Sequence, residues 1–423
     1  MEASISVSQI DMISALSRAM DLLNPFLTDH HMQTAYIAIS ISKELGLSQS
    51  DQNDLAIAAS LHDIGAITLK ERLDALNFEL SPPYPHAEIG YHLLKTFEPY
   101  SGNIANIVRY HHNSWNYKNI KDIDSKKIPL STYILNISDR VAVLVKKEKN
   151  ILTIAEDIEK KIEEDIRFMP EIVLAFKSVA AKEHFWLDVI DPFINRILIK
   201  NFEWNKLNFD INGIKNIANF FSHIIDFRSR FTATHSAGVT ASARTLAKLC
   251  GMSEEECHLM EIAGFLHDIG KLSIPNEILE KPGQLTKEEF NIIKTHSYFT
   301  YRILENIPSF NKINEWSDYH HERLDGRGYP FRLNNKDLSL GSRILAVADI
   351  FTAIKEDRPY RKGMSKFEII EVLDTMALNS AVDGDIVEVL KNNYVKISEF
   401  CIISQDKALQ DYKNFENKVK NHS

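Results

Sequence analysis

The pentapeptide Leu-His-Asp-Ile-Gly occurs twice in the chain, at residues 61–65 and again at residues 266–270. The two copies lie 205 residues apart, and the same offset aligns a long gap-free stretch upstream of them. The matching pairs include Ser17 with Ser222, Asp21 with Asp226, Phe26 with Phe231, His30 with His235, Gly46 with Gly251, Ser48 with Ser253, Ile57 with Ile262 and Ala58 with Ala263. A register of this length is not expected by chance. It predicts an internal duplication, with one domain over residues 1–205 and a second over 206–423.

Polar residues continue the correspondence further along the chain, although the spacing drifts by a few residues as loops allow. The downstream pairs are His86 with His296, His111-His112 with His320-His321, and Asp139 with Asp349. The stretch IKNFEWNKLNFDINGIKN, residues 199–216, is the best place for a boundary because the repeat restarts there. Both copies therefore contain the same ordered series of histidine and aspartate.

Each copy has the pattern of a helical bundle. The segments AYIAISISKELG and AGVTASARTLAKLCG are apolar at helical spacing, and each ends at a glycine suited to a helix C-terminus. Ser48 and Ser253 follow as candidates for the N-cap of the next helix. Convincing alternating strands are absent from the sequence. The predicted fold class is all-α, built from two tandem duplicated bundles.

Composition limits the classes of function. The formal net charge of −9 disfavours a protein that binds polymeric nucleic acid, since that role needs a basic face. The first 20 residues lack a basic region ahead of an apolar stretch, and no run of about 18 uncharged apolar residues follows. Three scattered cysteines do not form a zinc motif. We expect a cytoplasmic protein that contacts no membrane.

Seven residues of the second copy form a candidate metal centre. They are His235, His267, Asp268, His296, His320, His321 and Asp349. Mixed imidazole and carboxylate ligands suit Fe or Mn, and less specifically Zn. Adjacent residues on a helix point about 100° apart. His267 and Asp268 are therefore expected to serve neighbouring ions, with the carboxylate as a bridge.

Any one of these histidines alone would more often be an ordinary core or surface residue. The same residue types at similar spacings in both copies favour a metal site instead. Two divalent ions about 3.5–4 Å apart activate water and clamp the attacking and leaving oxygens of a phosphoryl centre. This chemistry predicts hydrolysis of a phosphate ester.

The second copy resembles the HD-GYP branch of the HD superfamily of metal-dependent phosphohydrolases. The resemblance covers about 135 residues and rests on three blocks in order, FLHDIGKLSIPNEILEKPGQLTKEE, HHERLDGRGYP and RILAVADIFTAIKEDRPYRKGMS. It implies an all-α fold, two divalent ions, Fe or Mn, and hydrolysis of a cyclic dinucleotide, either cyclic di-GMP or 3′,3′-cyclic GMP-AMP, to a linear dinucleotide. Such an enzyme acts in signal transduction.

The resemblance also assigns roles to residues outside the ligand set. Asp268 and Lys271 would be catalytic, with Lys271 against the scissile phosphate. The other substrate-binding residues it implies are Arg358, Arg361, Lys362, Gly328 and Tyr329. Some members place a glutamate one turn before the first histidine to recruit a third ion; Phe231 stands there, which favours two ions. The loop around Gly328 would line the pocket or dock a diguanylate-cyclase-type domain.

The first copy retains the ligand types but not the substrate residues. Its candidate vestigial metal site comprises His30, His62, Asp63, His86, His111, His112 and Asp139. The 205-residue offset pairs His235 with His30 and not with the adjacent His31. Ala66 stands where the second copy has Lys271, and no GYP or RPYR block follows. We expect a degenerate, non-hydrolytic domain that keeps metal for folding or regulates the second copy.

Two other functions remain open at this stage. One is an HD phosphohydrolase that acts on a mononucleotide or an alarmone, against which the GYP and RPYR blocks count. The other is a non-catalytic receptor for a cyclic dinucleotide or a cyclase partner. A receptor would be expected to have lost a ligand or the lysine in its second copy, and neither is lost. A homo-oligomer is compatible with the sequence.

Overall fold

The computed structural model describes residues 7–21, 29–66, 84–115, 128–145, 150–202, 204, 208–226, 234–281, 283–307, 309–357 and 362–420. The chain divides into two compact units. One comprises Met12–Leu207 with Lys418–Ser423 and is called the N-terminal unit. The other comprises Asn208–Asn417 with Met1–Asp11 and is called the C-terminal unit.

The secondary-structure elements of the N-terminal unit are all helices within the described residues. Helix α1 (Gln9–Asp21) begins in the residues assigned to the other unit and continues into this one. The following helices are α2 (His30–Glu44), α3 (Gln49–Leu61), α4 (Pro85–Leu94), α5 (Asn103–Tyr110), α6 (Leu130–Leu144), α7 (Ile151–Glu163), α8 (Pro170–Ala180), α9 (Glu183–Val189) and α10 (Ile194–Asn201). A 3₁₀ turn, Glu98–Tyr100, precedes α5.

The C-terminal unit is also helical, apart from two short antiparallel strands, β1 (Val7–Ser8) and β2 (Asn208–Phe209). Its helices are α11 (Ile211–Asp226), α12 (His235–Leu249), α13 (Glu254–Leu266), α14 (Asn276–Leu279), α15 (Lys287–Leu304), α16 (Asn311–Asp318), α17 (Leu340–Lys355), α18 (Lys366–Leu378), α19 (Gly384–Asn392) and α20 (Tyr394–Lys420). Two 3₁₀ segments, Ile269–Ser273 and Tyr319–His321, follow α13 and α16.

The two units repeat the same helical core. Helices α2 and α12 both have 15 residues and begin at a histidine, while α3 and α13 both have 13 residues. In each unit this pair packs together, and α2 and α12 also pack on α6 and α17 respectively. The all-α fold predicted from the repeat is confirmed.

Local signals in the sequence explain where these helices start and stop. Ser48 and Ser253 have extended backbone and their side chains accept hydrogen bonds from Asp51 N and Glu256 N, as an N-cap does. Gly46 and Gly251 have φ values of 69° and 84°, a conformation that glycine adopts without the Cβ penalty. These caps fix the first His of each bundle relative to the His-Asp pair.

Helix α7 is amphipathic. Its Ile151, Ala155, Ile158 and Ile162 are buried at helical spacing, while the intervening charged residues face solvent. Among the described residues, no helix combines the length and hydropathy needed to cross a bilayer.

Candidate metal centre and substrate site

Three metal-ligand candidates meet where α12 begins and α13 ends. His235 is the first residue of α12, His267 directly follows α13, and Asp268 follows His267. Each offers a ligand atom within 4.8 Å of the other two. Asp349, on α17, adds a carboxylate whose Oδ1 lies 3.0 Å from His235 Nε2. The fold therefore gathers four of the seven predicted ligands around one position.

The remaining three histidines form a second group beside the first. His296 lies on α15, and His320 and His321 lie in the 3₁₀ segment after α16. One ring nitrogen of each lies within 4.8 Å of the other two. Two adjacent ligand groups are the arrangement that a two-metal site requires.

Asp268 connects the two groups through its two carboxylate oxygens. Its Oδ2 lies 3.2 Å from His267 Nε2, and its Oδ1 lies 3.5 Å from His296 Nε2. Because each oxygen faces a histidine of a different group, the carboxylate is placed to bridge two ions. This geometry agrees with the bridging role expected from a residue next to a helix end.

Burial and charge set the protonation of the donors. Burial lowers the pKa of His296 to about 3 and that of His321 to about 4. Neutral imidazole is the form that binds metal. Burial alone would raise the pKa of Asp349, but contact with His235 outweighs this and holds the pKa well below its usual range. His296 and His321 thus present neutral imidazoles, and Asp349 presents an ionised carboxylate.

His235 differs because carboxylates flank its ring on both sides. Burial opposes its charged form, but Glu356 and Asp349 outweigh burial and raise the pKa of His235 to about 10. Glu356 Oε2 lies 3.1 Å from His235 Nδ1. A metal ion at Nε2 would replace a proton there while leaving the Nδ1 contact intact.

Several donor atoms at this site are buried without a hydrogen bond. Within the described part of the chain, His267 Nε2, Asp268 Oδ1 and His320 Nε2 have no hydrogen-bond partner. Burying such atoms unsatisfied is costly. Divalent ions bound by the two ligand groups would use all three lone pairs, and the mixed nitrogen and oxygen donor set fits such ions.

The glycine of each Leu-His-Asp-Ile-Gly motif makes the close approach that assembles the site. A Cβ on Gly270 would lie 2.0 Å from the carbonyl oxygen of His296, and a Cβ on Gly65 would lie 2.1 Å from that of His86. Only glycine lets the His-Asp segment reach the helix that carries the third histidine. The motif therefore recurs for a packing reason as well as a chemical one.

Lys271 lies beside these ligands, and so does the GYP loop, which is the loop that contains Gly328, Tyr329 and Pro330. Lys271 Nζ donates to Asp268 Oδ2 at 2.5 Å, and its side chain is 20% exposed. The ring of Tyr329 lies 4.8 Å from that of His321, centroid to centroid. A Cβ on Gly328 would meet the Cα of Glu322 at 2.5 Å, so this position needs glycine. The predicted substrate residues Lys271, Gly328 and Tyr329 thus border the metal ligands.

Glu322 holds the GYP loop in place, a role that the sequence did not reveal. Its carboxylate accepts hydrogen bonds from the backbone amides of Phe331, Arg332 and Leu333 at 2.7, 3.0 and 3.0 Å. A buried acidic residue directly after a His pair is the only signal that could have indicated it.

Other predicted residues are not brought to the site by the described structure. Arg358 and Arg361, and Phe231 before the first histidine, lie outside the described residues. Lys362 is described and exposed. Its role at the substrate stays a prediction.

The N-terminal unit assembles the equivalent residues of the first copy. Their ligand atoms form three overlapping groups within 4.8 Å, made of Asp63, His86, His111 and His112; His30, His62 and Asp63; and His62, His111 and Asp139. His30 Nε2 lies 3.3 Å from Asp139 Oδ1, which parallels His235 and Asp349. The geometry places His30, rather than His31, at the position that the offset selected.

Two features distinguish this N-terminal cluster from the other. His31 Nδ1 contacts Asp21, whereas at the matching positions the Ser236 hydroxyl donates to Asp226 at 2.8 Å. Arg140, 3% exposed, donates to Asp139 Oδ2 at 2.5 Å. A buried guanidinium thus occupies one oxygen of the last predicted ligand.

Comparison with known proteins agrees with this duplication. HD-domain models match residues 27–144 and residues 219–386. A 3′3′-cGAMP-specific phosphodiesterase of Vibrio cholerae serotype O1 is 28% identical over 89% of this chain and 90% of its own length. A cyclic di-GMP phosphodiesterase of Pseudomonas aeruginosa is 39% identical over 33% of this chain, and that match spans 34% of the relative.

A solved structure extends the comparison to the fold. The crystal structure of a cyclic GMP-AMP specific phosphodiesterase of Vibrio cholerae superposes with a TM-score of 0.65 at 21% identity. The match covers 91% of this chain and 97% of that one. Two HD-domain matches together span more than half of its residues, so the chain belongs to the HD superfamily and carries two HD domains in tandem. The cyclic dinucleotide phosphodiesterases among its relatives support the HD-GYP branch.

Proposed function

We propose that this protein is a metal-dependent phosphodiesterase that hydrolyses a phosphodiester bond of a cyclic dinucleotide. The candidate substrates are 3′,3′-cyclic GMP-AMP and cyclic di-GMP, and the product is a linear dinucleotide. The observation that carries the proposal is the C-terminal unit's complete set of seven ligands with Lys271 beside them. Similarity to a 3′3′-cGAMP-specific phosphodiesterase along 89% of the chain supports the substrate class.

The residues of the C-terminal unit fit two divalent ions, for which Fe or Mn suits the donor set best. His235, His267, Asp268 and Asp349 would hold one, and Asp268, His296, His320 and His321 the other. Bound in this way, the ions would supply Lewis-acid activation of water and neutralisation of phosphate charge. The chain's own part is to fix the donors in helices that pack tightly together.

Lys271 supplies a cation that the protein itself holds at the site. Its side chain is four-fifths buried, and its ammonium group donates a hydrogen bond to the carboxylate of Asp268. A phosphate oxygen next to Asp268 would therefore meet a positive charge in a poorly solvated place, where electrostatic stabilisation is strong. Arg358, Arg361 and Lys362 are proposed to bind the second phosphate, because arginine pairs with phosphate in bidentate fashion.

The GYP loop supplies a wall for the substrate. Tyr329 packs against the ligand His321, and Gly328 lets the backbone pass close to Glu322. An aromatic ring at this position can stack on a base. The outer face of the same loop is proposed as the docking surface for a diguanylate-cyclase-type domain.

The first domain of the duplication, proposed to span residues 1–205, is proposed to be non-hydrolytic and to hold metal for stability or regulation. His30 Nε2, His62 Nε2, Asp63 Oδ1, His111 Nε2 and Asp139 Oδ1 are buried with no hydrogen bond inside the described chain, which a metal would satisfy. The unit has Ala66 in place of the lysine, and Arg140 occupies Asp139 Oδ2. Loss of metal from a His62→Ala variant, measured by elemental analysis, tests this site.

A substrate panel tests the proposed reaction. Purified full-length protein is loaded with Mn²⁺ or Fe²⁺, its metal content is measured, and it is incubated with cyclic di-GMP, cyclic di-AMP, 3′,3′-cyclic GMP-AMP, dGTP and pppGpp. We expect linear dinucleotide from 3′,3′-cyclic GMP-AMP or cyclic di-GMP. Turnover of dGTP or pppGpp alone would instead show that the protein hydrolyses mononucleotides or alarmones. Binding of a cyclic dinucleotide without turnover would show that it is a non-catalytic receptor.

A further inference from the structure

Three candidate ligand histidines of the C-terminal unit are oriented by hydrogen bonds from Nδ1 to the backbone. His267 donates to Gly264 O at 2.8 Å, His296 to Ile293 O at 2.5 Å and His320 to Ser317 O at 2.6 Å. Each acceptor is the backbone carbonyl three residues earlier in the chain. This bond fixes the ring so that Nε2 faces the site.

His235 differs from these three because it is the first residue of α12. No preceding turn of its own helix offers a carbonyl three residues back. Its Nδ1 is instead 3.1 Å from Oε2 of Glu356, 121 residues further along the chain. The Glu356 side chain is only 9% exposed, so this carboxylate is largely removed from water.

Glu356 is in turn held by the C-terminal helix. Gln405, on α20, donates from Nε2 to Glu356 Oε1 at 2.6 Å, and Cys401 Sγ lies 3.5 Å from Gln405 Oε1. Gly238 makes room for this amide, since a Cβ there would lie 2.7 Å from Gln405 Nε2. The side chains form one continuous chain of hydrogen bonds from α20 to His235.

We infer that Glu356 and Gln405 are positioning residues that orient His235 and so set the metal affinity of the C-terminal unit. The inference rests on the metal site of the proposed function and adds two residues to it. Carboxylates that accept from a ligating histidine fix its tautomer and raise its basicity as a ligand. Helix α20 thereby acts on the site although it contributes no ligand.

Calorimetric titration of the chelator-treated full-length protein with Mn²⁺ tests this inference. Glu356→Ala is expected to weaken Mn²⁺ binding by roughly 10–100-fold, the scale reported for loss of such a partner. Glu356→Gln keeps an acceptor but not the charge and should weaken it less. Gln405→Ala should also weaken it, by a smaller factor than Glu356→Ala. The Asp268→Ala variant serves as a reference: the heat signal that it loses is the one that comes from Mn²⁺ binding to the C-terminal unit.

Gln410→Ala is the matched control, since Gln410 lies on the same helix and is exposed. It should bind Mn²⁺ as the unaltered protein does. A purely structural role would lower the melting temperature of Glu356→Ala while leaving the Mn²⁺ dissociation constant unchanged, and that result overturns the inference. If Glu356→Ala does not fold, unchanged Mn²⁺ affinity in both Glu356→Gln and Gln405→Ala overturns it equally. The titration requires no substrate, so it gives an answer even if cyclic dinucleotides are not hydrolysed.

Discussion

Gly270 lies so close to His296 that a Cβ would come within 2.0 Å of the His296 carbonyl oxygen. Gly65 and His86 repeat this relationship in the N-terminal unit at 2.1 Å. In both units the contact brings the His-Asp pair against the helix that carries the next histidine. The bundle therefore depends on a glycine next to its metal ligands, and any side chain there has to push backbone apart.

Gly270→Ala is expected to destabilise the C-terminal unit by about 1–3 kcal/mol or more, the cost of overpacking a tight contact. It should also lower metal content, because His296 would move relative to Asp268. Denaturant unfolding and elemental analysis measure the two effects. Gly384→Ala is the control, since a Cβ there meets only the Ala377 Cβ at 3.8 Å. Equal stability of the two variants would contradict the packing account.

Lys271→Ala should reduce turnover of the cyclic dinucleotide by roughly 10²-fold, the effect of losing one charge-stabilising donor. Lys271→Arg keeps the positive charge and should retain more activity than Lys271→Ala. Lys312→Ala, which removes an exposed lysine of the same unit, serves as the control. Steady-state kinetics with saturating Mn²⁺ decide the matter. Unaltered kcat in Lys271→Ala would remove this lysine from the reaction.

Glu322→Gln should loosen the GYP loop. One of its two oxygens becomes an amide that cannot accept from a backbone N–H, and a hydrogen bond to a charged group contributes about 1.5–3 kcal/mol. We expect the KM for the cyclic dinucleotide to rise more than kcat falls, because the loop is proposed to contact the substrate away from the reacting bond. Glu388→Gln, an exposed carboxylate of the same unit, should leave both constants unchanged. A fall in kcat without a rise in KM would contradict the proposal that the loop forms one side of the substrate site.

Removal of metal should destabilise both units. A ligand that binds only the folded state at 100 times its dissociation constant adds about 2.7 kcal/mol of stability. Thermal unfolding with Mn²⁺ and with a chelator measures this in the unaltered protein, in Asp63→Ala and in Asp268→Ala. Each variant should lose part of the Mn²⁺-dependent stabilisation. If Asp63→Ala keeps all of it, the N-terminal cluster holds no stabilising ion.

The sequence predicted the fold because its signals were local and repeated. Ser48 and Ser253, with the glycines before them, placed two helices of each bundle. The clustering of the candidate ligands could be predicted as well, since the repeat paired each candidate histidine with a histidine in the other copy. Residue types and spacing were sufficient for this part of the structure.

Contacts between distant, unrepeated residues could not be predicted in the same way. Glu356 contacts His235 from 121 positions further along the chain, and Gln405, 170 positions beyond His235, contacts Glu356. No sequence motif links the three residues. Arg140 was equally hidden, because its side chain turns back onto the adjacent Asp139 inside the bundle. Such contacts depend on how helices pack, which a single sequence does not specify.

The central claim is a division of labour between two similar clusters, and paired substitutions test it most directly. Asp268→Ala and Asp63→Ala remove the equivalent carboxylate from each, in otherwise full-length protein. With 3′,3′-cyclic GMP-AMP or cyclic di-GMP as substrate, we predict that Asp268→Ala abolishes hydrolysis and that Asp63→Ala retains at least a tenth of it, on the scale set by losing one catalytic group. Equal loss of turnover in the two variants would contradict the account.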